Sequence, residues 1–286
     1  MIVDLFCGVG WALGLRSLGL TEVGFDMEPT VCTVRAANGM LTVRQDVRTI
    51  SPERWDGIEG VLASPPCQSF SKQGNRAGLN DARGQLVWEP LRIVLACRPE
   101  WTVWEQVPEV LDIWRRCAVD LRTAGYSVWV GVLSAEQYGV PQTRERAFLV
   151  ASRVRPALPP EPSHAAFRAV REPALFGPEL LPTPVIGDVL DAAPGRRMFH
   201  NSAFHTEQVT RSVNEPALTL RAQRNAEWLR DDGSRTWLTV GELRLLQGFP
   251  DWFDMPLNQT ASERVIGNSV CPAVAAAAVQ TVRGEG

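Results

Sequence analysis

Short apolar runs alternate with longer amphipathic stretches through the first half of the chain. "MIVDLF", "EVGFDM", "VRQDV", "GIEGVLAS" and "WTVWEQV" have the length and the β-branched and aromatic content of strands. Between them, "ALGLRSLG", "EPTVCTVRAANG" and "LVWEPLRIVLACR" place apolar residues at helical spacing, the first ending at Gly19. "PEVLDIWRRCAVDLRTAG" predicts a further helix, and "YSVWVGVLS" and "RAFLVAS" two more strands. Such alternation predicts an α/β fold: a doubly wound, mostly parallel sheet with some antiparallel edge.

The pattern breaks over 153–185, where prolines crowd "RVRPALPPEPS" and "REPALFGPELLPTPV" and no periodicity holds. A stretch of this kind reads as functional loops or a small irregular domain. Regularity returns at "TVGELRLLQGF", a helix expected to be capped by Thr239 with Glu242 three residues on. The end, "VIGNSVCPAVAAAAVQTVR", reads as a Gly-Asn turn followed by an alanine-rich helix. There is no internal repeat.

Composition changes this picture little. The 286 residues are 45% hydrophobic and 21% charged, ordinary for a soluble globular protein of one large domain or one large and one small. No run of about 18 apolar residues exists, so no membrane span is expected. "MIVDLFCG" enters a motif directly, with no charged leader, and a cytoplasmic location is expected. Cys7, Cys32, Cys67, Cys97, Cys117 and Cys271 are scattered without CxxC spacing, which fits reduced thiols. His164, His200 and His205 form no ligand pattern, so no metal is expected. The net charge of −3 weighs against a nucleic-acid partner without excluding one, because local charge decides. Lys72 is the single lysine; the arginines that supply the other positive charges suit phosphates and base edges, although a GC-rich coding bias gives the same ratio.

Two places carry candidate chemistry. "DLFCGVG", residues 4–10, is a strand, then glycines, then a helix, an arrangement that lets a ligand lie against bare backbone. Asp26 follows the second strand and Asp46 the third, so three successive strand ends form a nucleoside-binding edge. The other place is "ASPPCQSFS", residues 63–71, where two prolines stiffen the chain just before Cys67, at the point where a strand ends. A packing cysteine has no need of so rigid a position.

"DLFCGVG", "PPCQSFS", "EQV", "QTRER", "LQGFP" and "GNSV" occur in that order, and together they resemble the cytosine carbon-5 DNA methyltransferases, which use S-adenosylmethionine. The resemblance covers roughly 1–152 and 237–280. It implies a catalytic and cofactor-binding domain from 1–155 plus 260–286, and a target-recognition domain over 156–259. It implies Cys67 as the nucleophile adding to cytosine carbon 6, which makes carbon 5 able to attack a methyl sulfonium. Glu105 is then the acid at cytosine N3 and the exocyclic amine, Arg146 reaches the cytosine O2, and Arg144 supports the Glu105 carboxylate. Arg144 and Arg146 alternate, so one strand would point both to the same side.

The same resemblance places the cofactor on Phe6, Gly8, Gly10, Trp11, Asp26, Met27, Asp46, Val47, Pro66, Leu86, Asn268, Ser269 and Val270. It makes Ser69, Lys72, Arg76 and Arg83 the loop that closes over DNA when the base is flipped. Arg196, Arg197, Arg211, Arg221 and Arg224 are expected to form the facing wall of one positively charged cleft. A cognate restriction endonuclease and a monomeric state belong to this expectation. The alternatives are a tRNA cytosine methyltransferase and a non-catalytic DNA-binding relative. Two departures from the family stand out: Gln106 replaces the usual asparagine after Glu105, and Trp11 follows Gly10 where a further glycine is usual.

Overall fold

The structure is a computed structural model that describes residues 1–55, 57–66, 84–167, 179–191, 196–200, 209–223 and 226–283. The first half contains β1 (Ile2–Leu5), α1 (Gly10–Ser17), β2 (Val23–Asp26), α2 (Pro29–Ala37), β3 (Thr42–Arg44), β4 (Gly60–Ala63), α3 (Glu89–Cys97), β5 (Trp101–Gln106), α4 (Leu111–Thr123), β6 (Ser127–Ser134), β7 (Gln142–Thr143) and β8 (Glu145–Ser152). The second half contains β9 (Arg197–His200), β10 (Thr210–Ser212), β11 (Ala217–Leu218), β12 (Ala226–Leu229), β13 (Arg235–Trp237), α5 (Val240–Leu246), α6 (Gln259–Asn268) and α7 (Pro272–Arg283).

Strands β1, β4 and β5 are buried at every position, which is why their sequences read as near-continuous apolar runs and not as alternating ones. They lie inside a seven-stranded sheet ordered β3-β2-β1-β4-β5-β8-β6. The first five strands pair in parallel, while β8 is antiparallel to both β5 and β6. Strand order reverses between β1 and β4, and in such sheets ligands bind outside the carboxyl ends of the strands at that switch point. The two chain segments leaving this point are "FCGVG" and "SPP".

One face of the sheet carries a core built around Trp104, Trp114 and Leu121, covered by α3 and α4. The other carries Trp11, Leu15, Trp101 and the apolar side of α7. A third core joins Val9, Leu13 and Val34 of the first half to Met198, Trp228, Leu246 and Ile266 of the second. The small antiparallel sheet, ordered β10-β9-β12-β13, is thus packed onto α1 and α2 through α5 and α6. β11 also pairs in parallel with β7.

Helix starts follow local chemistry. Thr239 and Glu242 form the expected reciprocal cap of α5, with Thr239 N donating to Glu242 Oε2 at 2.7 Å and Glu242 N to Thr239 Oγ1 at 3.2 Å. Asn258 Oδ1 accepts from Ala261 N at 3.0 Å to begin α6. The sequence pattern does not reveal α6, so Gly267 and Asn268 are the end of a helix and not a free turn. The third strand is also shorter than its pattern suggests: it stops at Arg44, and Asp46 caps a short helical turn over Val47–Thr49. Together α6 and α7 make a stretch, Gln259–Arg283, long and apolar enough to cross a membrane, but 67% of its most apolar window is buried inside the protein.

Candidate active site

A cavity of about 260 Å³ opens at the switch point. Phe6, Gly8, Gly10 and Trp11 line it from the turn after β1, Asp26 and Glu28 from the end of β2, and Ser64, Pro65 and Pro66 from the end of β4. Glu105, Gln106, Arg144 and Arg146 face it from β5 and the β7–β8 junction, and Arg264, Asn268, Ser269 and Val270 from the far end of the chain.

The turn after β1 is held from below. Arg35 is fully buried in an ion pair with Glu22, and its guanidinium also donates to Gly8 O at 3.1 Å and Leu41 O at 3.0 Å. Phe6 adopts a left-handed conformation, φ 54°, a strain that tends to sit at functional sites. Gly10 is required by packing: a Cβ there would lie 2.0 Å from Val270 O. The sequence pattern suggests a glycine kept bare for a ligand; the closer constraint is the C-terminal segment lying across it.

Asp26 uses both carboxylate oxygens on backbone, accepting from Glu28 N at 2.9 Å and from Gly8 N at 3.3 Å. Burial pushes its pKa up, against the pull of these two amides. Glu28 is more open, with Oε1 accepting from Thr30 Oγ1 at 3.0 Å and pairing with Arg264 at 3.1 Å. Val9, which precedes α1, makes no side-chain cap, and Gly10 and Trp11 at the start of that helix line the cavity. Acids at one end, a helix N-terminus at the other and apolar walls between suit a nucleoside carrying an amino-acid group, as S-adenosylmethionine does.

At the other wall Glu105 is 5% exposed and forms an ion pair with Arg146, Nε to Oε1 at 3.2 Å. Its second oxygen accepts from Ser64 Oγ at 3.2 Å. Arg144 is expected to support the Glu105 carboxylate, but the ion pair described on Glu105 comes from Arg146. Arg144 lies just before β8 and not on it, and its guanidinium donates to Leu220 O at 2.9 Å, Gly267 O at 2.8 Å and Ser269 O at 3.1 Å. It ties the cofactor end of the chain to the small domain.

Trp11 lines the cavity as deep wall: it is 1% exposed, packed edge-on against Phe148 with its indole N–H on Ser64 Oγ at 2.9 Å. Gln106 explains its own departure: Nε2 donates to the Pro65 carbonyl while Oε1 accepts from Val107 N at 2.6 Å. The extra methylene lets the side chain fold back on its own backbone and still brace the Pro65-Pro66 turn.

Met27, Asp46, Val47 and Leu86 do not line the cavity. Met27 is 56% exposed and Val47 lies in the core at 2%. The Asp46 carboxylate is taken by Arg48, which lowers its pKa through the side-chain hydrogen bond, and Leu86 sits half-buried on the helical turn Gly84–Trp88. Cys67, Ser69, Lys72, Arg76, Arg83 and Arg224 lie outside the described residues. Asn268 is exposed at the cavity, whereas Ser269 turns its hydroxyl back to Val265 O at 2.7 Å.

The arginines expected to form one wall of a cleft are distributed over both faces of the small sheet. Arg197 is opposite Ser212 and Arg211 opposite Met198, so the two side chains point to opposite faces. Arg211 lies over the Phe167 ring at 5.0 Å and 3.8 Å from Glu215. Arg197 instead shares a row with Leu229 and the exposed Arg235, whose guanidinium covers Phe199 at 4.3 Å. Arg196 is half-buried, and burial lowers the pKa of half-buried Arg221. Sequence reasoning does not single out Arg235, Ser64 or Arg264, which only register, or proximity across the fold, reveals; Glu28, the next candidate after Asp26 for the ribose contact, does line this cavity. Among the described residues no group of three or more His, Cys, Asp or Glu side chains could hold a metal ion.

Comparison with known proteins agrees with this geometry. The family model for the C-5 cytosine-specific DNA methylase matches residues 1–218 and 195–283. The chain is 30% identical over 317 residues to the Type II methyltransferase M.NlaX of Neisseria lactamica, covering 98% of this chain and 95% of that protein. It is 32% identical over 219 residues to the Type II methyltransferase M.AquIA of Picosynechococcus, covering 68% of this chain and 88% of that protein. Its fold matches the crystal structure of the S. pombe Dnmt2 methyltransferase with a TM-score of 0.70 at 17% identity, covering 98% of this chain and 97% of that one. The chain therefore belongs to the C-5 cytosine-specific DNA methylases, enzymes that transfer a methyl group from S-adenosylmethionine to carbon 5 of cytosine in DNA.

Proposed function

We propose that methylation proceeds on an extruded cytosine held against Glu105, with Cys67 as the nucleophile and Arg146 at the base's O2. The observation that carries this reading is the Glu105–Arg146 pair, 3.2 Å apart, facing the same cavity as the turn after β1. Cytosine carbon 5 is a poor nucleophile. A thiolate added at carbon 6 converts the ring to an enamine-like species, while an acid at N3 stabilises the charge developing there. S-adenosylmethionine supplies the electrophilic methyl group. Asp26 and Glu28 would hold its ribose hydroxyls, and the N-terminus of α1 with Asn268 its amino-acid end. Gln106 braces Pro65 and so sets the approach of the next residues to the base.

In this reading 156–259 is the target-recognition domain, and Arg196, Arg197, Arg221 and Arg235 meet phosphates. The protein acts in the cytoplasm as a monomer on duplex DNA, alongside a restriction endonuclease of the same specificity. Labelled methyl transfer to duplex DNA and to tRNA, with wild type and Arg146→Ala, tests it. Transfer to duplex DNA, lost in the variant, supports the reading; undiminished transfer by Arg146→Ala removes Arg146 from the base site.

A further inference from the structure

We propose that Ser64 is a positioning residue for Glu105 and that, with Trp11, it links this carboxylate to the cofactor-side turn. The proposal rests on reading Glu105 as the acid that contacts cytosine. Ser64 ends the β4 segment immediately before Pro65-Pro66. Its Oγ accepts from Trp11 Nε1 at 2.9 Å and donates to Glu105 Oε2 at 3.2 Å.

An indole N–H can only donate, so it takes a lone pair of Ser64 and leaves the one hydroxyl proton for the Glu105 carboxylate. Arg146 holds the other oxygen at 3.2 Å. Glu105 is thereby pinned at both oxygens. Trp11 directly follows Gly10, which lies against the Val270 carbonyl, so Trp11 cannot move independently of the segments that line the cofactor end. Two hydrogen bonds thus connect cofactor turn and base-contacting acid. This gives a use to the tryptophan that stands where the family has a glycine. Alanine at position 64 would leave a buried indole N–H and a carboxylate oxygen each without its partner.

The test measures kcat, the KM for duplex DNA, the cofactor Kd and the melting temperature of the full chain. Ser64→Ala should lower kcat about tenfold or more, the scale of a lost hydrogen bond to a charged group, with cofactor Kd and DNA KM within about twofold. Ser64→Thr, which keeps the hydroxyl, should stay within about threefold of wild type. Trp11→Phe keeps a ring but not the N–H and should lower kcat by about threefold or more; it also carries the test should Ser64→Ala not fold. The double variant should be no slower than Ser64→Ala, as expected for one relay. Ser64→Ala or Trp11→Phe turning over like wild type, while Glu105→Gln is inactive, overturns the relay. Equal losses in Ser64→Ala and Ser64→Thr, with a lowered melting temperature, also overturn it in favour of packing. An active Glu105→Gln removes the underlying reading of Glu105 instead.

Discussion

Gly10 and Val270, 260 positions apart in the chain, meet so closely that a Cβ on Gly10 would stand 2.0 Å from the Val270 carbonyl oxygen. The Val270 backbone is the far neighbour, so the clash cannot be relieved by rotating a side chain. Gly10→Ala should therefore push the C-terminal segment off the turn after β1. We expect a loss of about 1–3 kcal/mol in stability, the usual cost of overpacking, and weaker S-adenosylmethionine binding by calorimetry. Unchanged melting and affinity would show that the joint is looser than described.

Asp4 offers a test by pH. It is fully buried on β1, and neither carboxylate oxygen has a hydrogen-bond partner among the described residues. Burial pushes its pKa well up, only partly countered by Arg35. A carboxyl whose pKa is higher folded than unfolded holds its proton more tightly when folded. Its contribution is complete below the ordinary Asp range near 3.8 and is lost as pH rises through the raised value. Asp4→Asn, which cannot ionise, should melt above wild type at pH 8, with the gap closing toward pH 4. A gap that widens on acidification would contradict this sign.

The cysteines can be separated by reactivity. Burial pushes the thiols of Cys97 and Cys271 up to about 11 and of Cys117 to about 12, and those of Cys7 and Cys32 upward as well. At pH 7 a thiol of pKa about 11 is ionised in about one molecule in ten thousand. Brief alkylation at pH 7 should thus modify Cys67 first and abolish methylation in step. Peptide mapping that finds another cysteine modified first would place the reactive thiol elsewhere.

DNA binding should depend on the row shared by Arg197 and Arg235 and not on Arg211. The double change of Arg197 and Arg235 to Ala should weaken binding and flatten its salt dependence, by about 0.9 log units per log unit of salt for each phosphate left without its arginine. Arg211→Ala should leave the slope intact. The reverse pattern would assign the DNA-facing side of the sheet to Arg211.

Much of this is legible in the sequence. Parallel-sheet strands such as "GVLA" betray themselves by unbroken apolar runs, and Thr239 with Glu242 announces a helix start. Helix α6 is not legible, because its first turn, Gln259–Ser262, is polar and its apolar residues face a core supplied by distant segments. Arg144 and Arg146 are recognisable as a motif, yet the motif does not tell which of them meets Glu105. Spacing of two says that side chains share a side, but it is Leu220, Gly267 and Ser269, all remote in sequence, that claim Arg144. Ser64 lies inside a recognisable motif, but its importance depends on Trp11 and Glu105 arriving from two other strand ends.

The most direct test of the central claim is to trap the base on the enzyme. Duplex DNA substituted with 5-fluorocytosine cannot release the added thiol after methyl transfer, because fluorine replaces the proton that must leave carbon 5. Incubation with S-adenosylmethionine, digestion and tandem mass spectrometry then locate the adduct. The account predicts a methylated fluorocytosine joined to Cys67 in wild type and no adduct in Cys67→Ser. An adduct on any other residue, or none while normal DNA is methylated, would contradict it.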